Sequence, residues 1–537
     1  MKAIQPSHGH RPSSVGKSVT RISDAGDDGT LISLDPSLSA LCQSYIGQTN
    51  LYGKIQPNVD MISSDGVVAA GSQLGCNTAQ NETSIAVNAE NPRNLVSGTN
   101  DYRLFNTREG RNDGAGFAYT TFDGGKSWTN QALPGLTFQT GATGALYDMD
   151  AAGDPALAFG PDNYVYYANI AFSRLNGGSA ITVNASRNGG RTWGAPAIVQ
   201  LDGADSSGSP LPTDYFNDKE WIAVDQHSGT VYVSWTRFGL FDSPIVVSSS
   251  HDHGRTWSPF VTVNPGPQPN GITPYSQGSI PQVDQEGNLY IAYESAVCQT
   301  LNCDQPGDHD AVILAKSTNG GQSFRNTEIS ANYDFPYNPD TGRSTLSGEN
   351  FRINSFPQFA IDQSNGRMFI TWADDRNGQY DSIGNSVKSN GDVFLVTSNN
   401  GRNWSPIRQL GTAADEVFPA VAADHGKIAV TFYTRNYDPN GTGLDYASVS
   451  GNSIEAVVRN QVARISTQTS DPAIQFVSIG AVTGKILQGV FIGDYTAVAL
   501  GSDGVFHPCW TDFRGSPGVN SPNQDAYTQA IPLRSDR

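Results

Sequence analysis

The chain has little charge, and less positive charge than negative. Of 537 residues only 16% are Asp, Glu, Lys or Arg, and 33 basic side chains stand against 51 acidic ones, a formal net charge of −18. No basic tract interrupts that balance, so the surface that would neutralise phosphates is missing and nucleic acid is excluded as a partner. No stretch approaches the ~20 consecutive apolar residues of a membrane-spanning helix. No long segment carries a 3.6-residue period, which excludes a helical architecture. Residues 1–20 also lack the apolar run of a signal peptide.

Cysteine is scarce, at five residues. Cys298 and Cys303 share one short loop, Cys-Gln-Thr-Leu-Asn-Cys, too irregular for a zinc ligand pair and suited to a local disulfide. Cys42 and Cys76 form a candidate pair near the N-terminus, and Cys509 beside Trp510 reads as a buried thiol. With few Lys and much Asn, Thr, Ser and Gly, this usage points to an oxidising compartment. The expected location is therefore secreted or extracytoplasmic.

What is abundant is glycine, proline and evenly spread aromatic residues: 57 Gly, 30 Pro and 10% Phe, Trp and Tyr. Such a chain has the side chains to fill a core, and wholesale disorder is excluded. Residues 1–60 are polar and Ser/Pro/Gly-rich and read as an N-terminal extension, partly disordered. Residues 61–537 are left as the folded unit. Length alone suggests three or four domains at ~150 residues each, but internal repeats override that count.

One pattern recurs from residue 81. An apolar-alternating segment meets an Asp/Asn/Gly turn, and a second segment follows. It appears at Ser84–Asn100, Ala156–Ala171, Trp221–Arg237, Pro281–Glu294, Pro357–Asp374, Pro419–Arg435 and Thr496–Asp512. Alternation and turn residues make each a β-hairpin, and every interval leaves room for two further strands. Four-stranded sheets repeated about seven times describe an all-β protein, a β-propeller. The count of seven rests on the hairpins alone, and six blades also satisfy it.

A second motif follows in five repeats. It stands as Thr121-Phe-Asp-Gly-Gly-Lys-Ser-Trp128, Ser186-Arg-Asn-Gly-Gly-Arg-Thr-Trp193 and Ser250-His-Asp-His-Gly-Arg-Thr-Trp257, with weaker copies at Ser317–Phe324 and Thr397–Trp404. Its logic is a hairpin turn: the Asp or Asn side chain bonds turn N–H groups, Gly takes the positive-φ position, and the aromatic plugs the sheet. The motif resembles the Asp-box, or BNR repeat, of the sialidase superfamily, over roughly residues 78–535. In that superfamily the box is structural, so the resemblance implies fold before activity.

Propeller topology then sorts the polar residues. Starts of first strands and ends of second strands share one face, the top, and the Asp-box turns mark the bottom. The top rim collects Glu82, Asp101, Asp154, Glu220, Glu416, Asp494 and Tyr495 as candidate catalytic residues. Crowded carboxylates push their pKa values apart, as an acid/base pair requires. Asp218 and Glu294 join the same rim. Arg103, Arg237, Arg352, Arg376, Arg435 and Arg514 are candidates for bidentate recognition of a substrate carboxylate, and lysine is nearly absent. An acidic channel also suits a structural Ca²⁺, although no cofactor is required. His507 reads as a packed core residue.

Sialidases use an arginine triad, a Tyr nucleophile polarised by a Glu, and an Asp, an exception among glycosidases. The Arg-Ile-Pro signature of that family is missing, with Arg103-Leu-Phe as the nearest counterpart, and Tyr495 or Tyr433 would be the nucleophile by analogy. The resemblance thus implies a secreted enzyme cleaving glycosidic bonds in glycans that contain an acidic sugar. The alternatives are a polysaccharide lyase on uronate-containing glycans and a non-catalytic binding propeller. The expected partner is an oligo- or polysaccharide, and the expected state a monomer, because a closed propeller leaves few free edges.

Overall fold

Each of the seven predicted hairpins becomes the first two strands of an antiparallel sheet, and the sheets close into a seven-bladed propeller. The computed structural model describes residues 57–62, 79–266, 270–438, 440–473, 475–476, 478–515 and 523–533. The candidate pair Cys42 and Cys76 lies outside them, as does most of the expected extension. First strands run Gln80–Asn88, Ala151–Phe159, Phe216–Val224, Ile272–Val283, Gln358–Asp362, Glu416–Asp424 and Ala497–Leu500 in blades 1 to 7. Each packs on the first strands of its neighbours and so stands nearest the axis.

Blade 7 takes its outermost strand from the other end of the chain. Val59–Asp60 pairs with Asp525–Thr528, Val59 opposite Thr528. The propeller therefore begins inside the segment read as an extension, and this clasp covers an edge that would otherwise be open. Among the described residues the one α-helix is Ile454–Arg459 in blade 6.

The period-2 pattern explains the packing between blades. In the second strand of blade 3 (Val231–Phe238), Val231, Val233 and Trp235 pack with Tyr166 and Ile170 of blade 2. The intervening Tyr232 packs with Leu289 and Ile291 of blade 4. Alternate side chains thus feed opposite interfaces, which is why both faces of every blade are apolar.

The Asp-type turns join third and fourth strands. Asp123 Oδ1 accepts from the N–H groups of Lys126 and Ser127 at 2.9 and 3.1 Å, and Asp252 does the same for Arg255 and Thr256 at 3.0 and 2.9 Å. Blade 5 differs from the sequence register. The turn is built on Ser398 and Asn400, with Gly401 N–H donating to Ser398 Oγ at 2.9 Å, one residue shorter than the other copies.

Three small hairpins decorate connections on the opposite face: Tyr337–Asn338 with Arg343–Ser344, Gln379–Tyr380 with Ser386–Lys388, and Ser478–Ile479 with Ile486–Leu487. The first and third dock together, Asp340 Oδ1 accepting from Val482 and Thr483 N–H at 3.1 and 2.9 Å. Between the first strands runs a channel with a hollow of about 270 Å³, lined by residues of all seven blades.

Candidate active site

The first strands do not run straight to the top face. In blades 1, 2, 3, 4 and 6 the pairing with the second strand shifts at a matching place, after Asn81, Gly153, Asp218, Gln277 and Val417. The next residue in each case is left-handed: Glu82 (φ 55°), Asp154 (53°), Lys219 (55°), Gly278 (69°) and Phe418 (50°). A non-glycine residue in this region costs of order 1 kcal/mol and persists where the surrounding structure imposes it. Blades 1, 2 and 3 place charged side chains at that position, and these three meet at the channel mouth.

Asn100, from the second strand of blade 1, ties the first two together. Its Nδ2 donates to Glu82 Oε2 at 2.9 Å, and its Oδ1 accepts from Asp154 N–H at 2.7 Å. Glu82 Oε1 accepts from the N–H of Asp494 at 3.2 Å, arriving from the approach to blade 7. Gly493 allows that approach: at φ 95°, a Cβ there would stand 2.8 Å from the Glu82 nitrogen. Gln277 Nε2 holds Asp218 Oδ2 at 3.1 Å. Arg352, from the connection between blades 4 and 5, reaches Asp494 with Nε and Nη2 at 2.8 and 2.7 Å.

Lysine, expected to be nearly absent here, lies at the centre. Lys219 is buried, its ammonium makes no hydrogen bond among the described residues, and it sits 3.2 Å from the centroid of the Tyr495 ring. Glu220 beside it is fully buried, and among the described residues neither of its carboxyl oxygens has a hydrogen-bond partner. Burial pushes the Glu82 carboxyl well above its ordinary range, and Asp154 and Asp494 push the same way against Lys219. Burial and then Asp154 raise Asp218 and Glu220 as well. Crowding and a low-dielectric site both disfavour the charged form of a carboxyl. Tyr495 is likewise raised by burial and by Glu82, and its hydroxyl donates to the Pro155 carbonyl at 3.3 Å.

The structure therefore brings together Glu82, Asp154, Glu220, Asp494 and Tyr495, with Asp218 and Arg352. It does not bring in Asp101 or Glu416. Asp101 is buried in blade 1, accepting from Arg103 and from Tyr119 Oη at 2.7 Å. Glu416 accepts from Thr412 N–H at 3.0 Å and Thr434 Oγ1 at 3.2 Å in blade 6. Tyr433 is buried and donates to the Thr511 carbonyl at 2.7 Å. Glu294, on the blade 4 side, accepts from Asn332 Nδ2 at 3.0 Å.

All six arginines expected to meet a substrate carboxylate already meet a protein carboxylate. Arg103, Arg376 and Arg514 each clasp the Asp two residues earlier in the same chain segment, Asp101, Asp374 and Asp512, at 2.6, 2.5 and 2.6 Å. Arg237 pairs with Asp202 at 2.7 Å, and Arg435 with Glu349 and Asp415 at 2.7 and 2.9 Å. The Asp-x-Arg spacing makes these pairs local, and Trp372 and Trp510 support them by donating to Asp374 and Asp512 at 2.9 and 3.0 Å.

His507 is a core residue, its pKa lowered to about 4 by burial. Cys298 and Cys303 are disulfide-bonded and Cys509 is a buried free thiol. Among the described residues no three His, Cys, Asp or Glu side chains form a group that could hold a metal ion, and no helix is long and apolar enough to cross a membrane. Sequence reasoning missed Lys219 and Asn100. The repeat signal that could have found Lys219 is its position, two residues before the aligned strand start, shared with Glu82 and Asp154.

Blade order and axial cluster together define a seven-bladed β-propeller with a buried acidic site at one mouth of its channel. No protein-family model matches the chain, and no curated protein matches it. Among solved structures it is similar to a protein of unknown function from Dyadobacter fermentans, at 13% identity and TM-score 0.42, covering 72% of this chain and 95% of that one. It is also similar to the Hadza microbial sialidase Hz136, at 13% identity and TM-score 0.40, covering 82% and 73%. A third is the α-L-arabinofuranosidase Arb93A from Fusarium graminearum, at 13% identity and TM-score 0.39, covering 70% and 92%.

Proposed function

We propose that the chain is a glycoside hydrolase whose chemistry takes place at the top mouth of the channel. The observation that carries this reading is the crowding of buried carboxyls there, held by left-handed backbone and one shared asparagine. Cleaving a glycosidic bond needs a proton donor for the leaving oxygen and a carboxylate facing the cationic transition state. Glu82, its carboxyl raised by burial and by Asp154, serves as the donor. Asp494, oriented by the guanidinium fork of Arg352, serves as the facing carboxylate. Tyr495 shapes the floor; its hydroxyl donates to a backbone carbonyl rather than to a carboxylate, which favours the carboxyl pair over a tyrosine nucleophile.

The hollow beside Asp218, Gln277 and Arg352 is about 60 Å³, room for a few waters. With every rim arginine paired, the ring cleaved here is neutral, and an acidic sugar belongs elsewhere on the glycan. The disulfide supports an oxidising, extracytoplasmic location.

Sugar release from a panel of neutral and uronate- or sialate-containing oligosaccharides tests the reading. Wild type releases a neutral sugar by hydrolysis, and Glu82→Gln loses roughly 10²-fold or more of that rate while its Tm changes little. Absence of turnover across the panel, or a fully active Glu82→Gln, would sink it. An unsaturated product would make the protein a lyase instead.

A further inference from the structure

We propose that a groove between blades 2 and 3, on the face of the Asp-type turns, binds an anionic sugar unit, carboxylated or sulfated, through Arg187, Arg255, Trp193 and His253. The groove encloses about 580 Å³ and shares no lining residue with the channel. Its walls are the turn of blade 2, the turn of blade 3, and Tyr164 from the first turn of blade 2.

Charge is the first observation. No Asp or Glu lines the groove, whereas Arg187 and Arg255 do, in a chain with 51 acidic and 33 basic side chains. Both arginines are exposed at the surface, and among the described residues neither makes an ion pair, in contrast to the six on the rim. An arginine pair over a concave surface is the fork geometry that recognises carboxylate and sulfate oxygens.

Departure from the repeat is the second. In the turns of blades 1 and 3 the plug tryptophan donates to its own turn, Trp128 Nε1 to the Gly125 carbonyl at 3.3 Å and Trp257 Nε1 to Gly254 at 3.2 Å. In blade 2 the matching Gly190 carbonyl accepts from Thr120 Oγ1 at 3.1 Å, and among the described residues Trp193 Nε1 is buried without a partner, as is Trp404 Nε1 in the shorter turn of blade 5. A buried indole N–H with no acceptor costs of order 1–3 kcal/mol, so the plug of blade 2 is seated differently from those of blades 1 and 3 at the wall of this groove.

The left-handed position departs in the same place. It is glycine in blades 1, 2 and 4, as Gly124 (φ 78°), Gly189 (69°) and Gly320 (69°), but His253 (63°) in blade 3. The imidazole held there stacks on Tyr164 with centroids 4.4 Å apart and planes within 13°. The stack, with Tyr166 Oη 3.4 Å from His253 Nδ1, fixes the imidazole at the groove wall, where a sugar can pack against the ring surface left uncovered. A strained backbone position is retained where its side chain does something.

Calorimetric titration of the full chain tests this with four probes: an oligogalacturonate, its neutral methyl ester, a sulfated cello-oligosaccharide and the unsulfated parent. We expect at least one anionic probe to bind 10-fold or more tighter than its neutral partner, less tightly at high salt. Which of the two binds identifies the anion. R187A/R255A weakens that binding at least 10-fold with Tm unchanged. His253→Gly weakens it too while Tm holds or rises, because glycine suits the backbone. Glu82→Gln binds as wild type, so failure of the channel reading leaves this one standing. Equal affinity for charged and neutral probes, no binding of either anion, or full affinity in R187A/R255A would overturn it.

Discussion

Arg352 and Asp494 meet across the channel mouth through two parallel hydrogen bonds of 2.8 and 2.7 Å, although 142 residues separate them. One comes from the connection between blades 4 and 5, the other from the approach to blade 7, so the bridge joins two connections with blades 5 and 6 between them. With side chains 13% and 11% exposed, the pair is shielded enough for its loss to matter. Arg352→Ala should lower unfolding stability by about 1–3 kcal/mol, read from the urea midpoint at unchanged m. Arg352→Lys should recover only part, because an ammonium cannot make both bonds. An unshifted midpoint in both variants would show that the strap contributes nothing.

Arg103 separates a structural role from a substrate role. It and Asp101 are fully buried, and its guanidinium also lies over the Phe117 ring, 4.7 Å from the centroid. Removing one partner of a buried pair strands the other, at a cost of roughly 3–5 kcal/mol. Arg103→Ala should therefore show a large loss in urea denaturation. A substrate arginine would behave in the opposite way, raising KM while the midpoint stayed put.

How far the sequence carried the reading follows from the range of the signals. Strand alternation and the turns at Asp123 and Asp252 are local, so the propeller and the face of each turn were legible, with the count of seven left open against six until the sheets were seen to close. The clasp by Val59–Asp60 was not, because pairing with residues 525–528 is a contact across the whole chain. The rim residues Glu82, Asp154 and Asp494 were found because topology places strand starts on one face. Their arginine neighbours were misjudged for the reason that made them visible. A spacing such as Asp512-Phe-Arg514 sets the guanidinium on its own aspartate, and sequence alone does not say whether an arginine is already paired. Lys219 was passed over because the rim was read as nearly free of lysine; the left-handed bulge that buries it has no composition signature.

Glu416 predicts a pH dependence of stability. Burial raises its carboxyl from 4.5 to about 7, against hydrogen bonds from Thr412. A folded-state value above the unfolded one means that the fold favours the protonated form. The stability it contributes is complete below about pH 4.5, falls as pH rises toward 7, and is lost above that. Glu349 and Asp375, both raised to about 7 chiefly by burial, act in the same direction. Glu416→Gln keeps an oxygen for Thr412 and Thr434 and places an amide where Oε2 has no partner. It should flatten the slope between pH 4.5 and 7 and stabilise the protein by on the order of 1–3 kcal/mol at pH 8, with little gain at pH 4.5. Urea midpoints at the three pH values measure this, and a parallel offset at all of them would contradict it.

Lys219 is where backbone and electrostatics can be separated by two substitutions at one site. Its ammonium opposes the rise in the carboxyls of Glu82, Asp218 and Glu220, and its φ of 55° is a conformation that glycine adopts without strain. Lys219→Met and Lys219→Gly both remove the charge. In each, Glu82 should hold its proton to higher pH, moving the alkaline limb of the kcat/KM profile upward by roughly one unit. Only glycine also relieves the backbone, so Lys219→Gly should be about 1 kcal/mol more stable than Lys219→Met. A limb that stays in place in both variants would remove Lys219 from the electrostatics of the donor. Equal stability of the two would instead mean that the left-handed bulge carries no strain, and that the shared geometry of Glu82, Asp154 and Lys219 follows from the strand path alone.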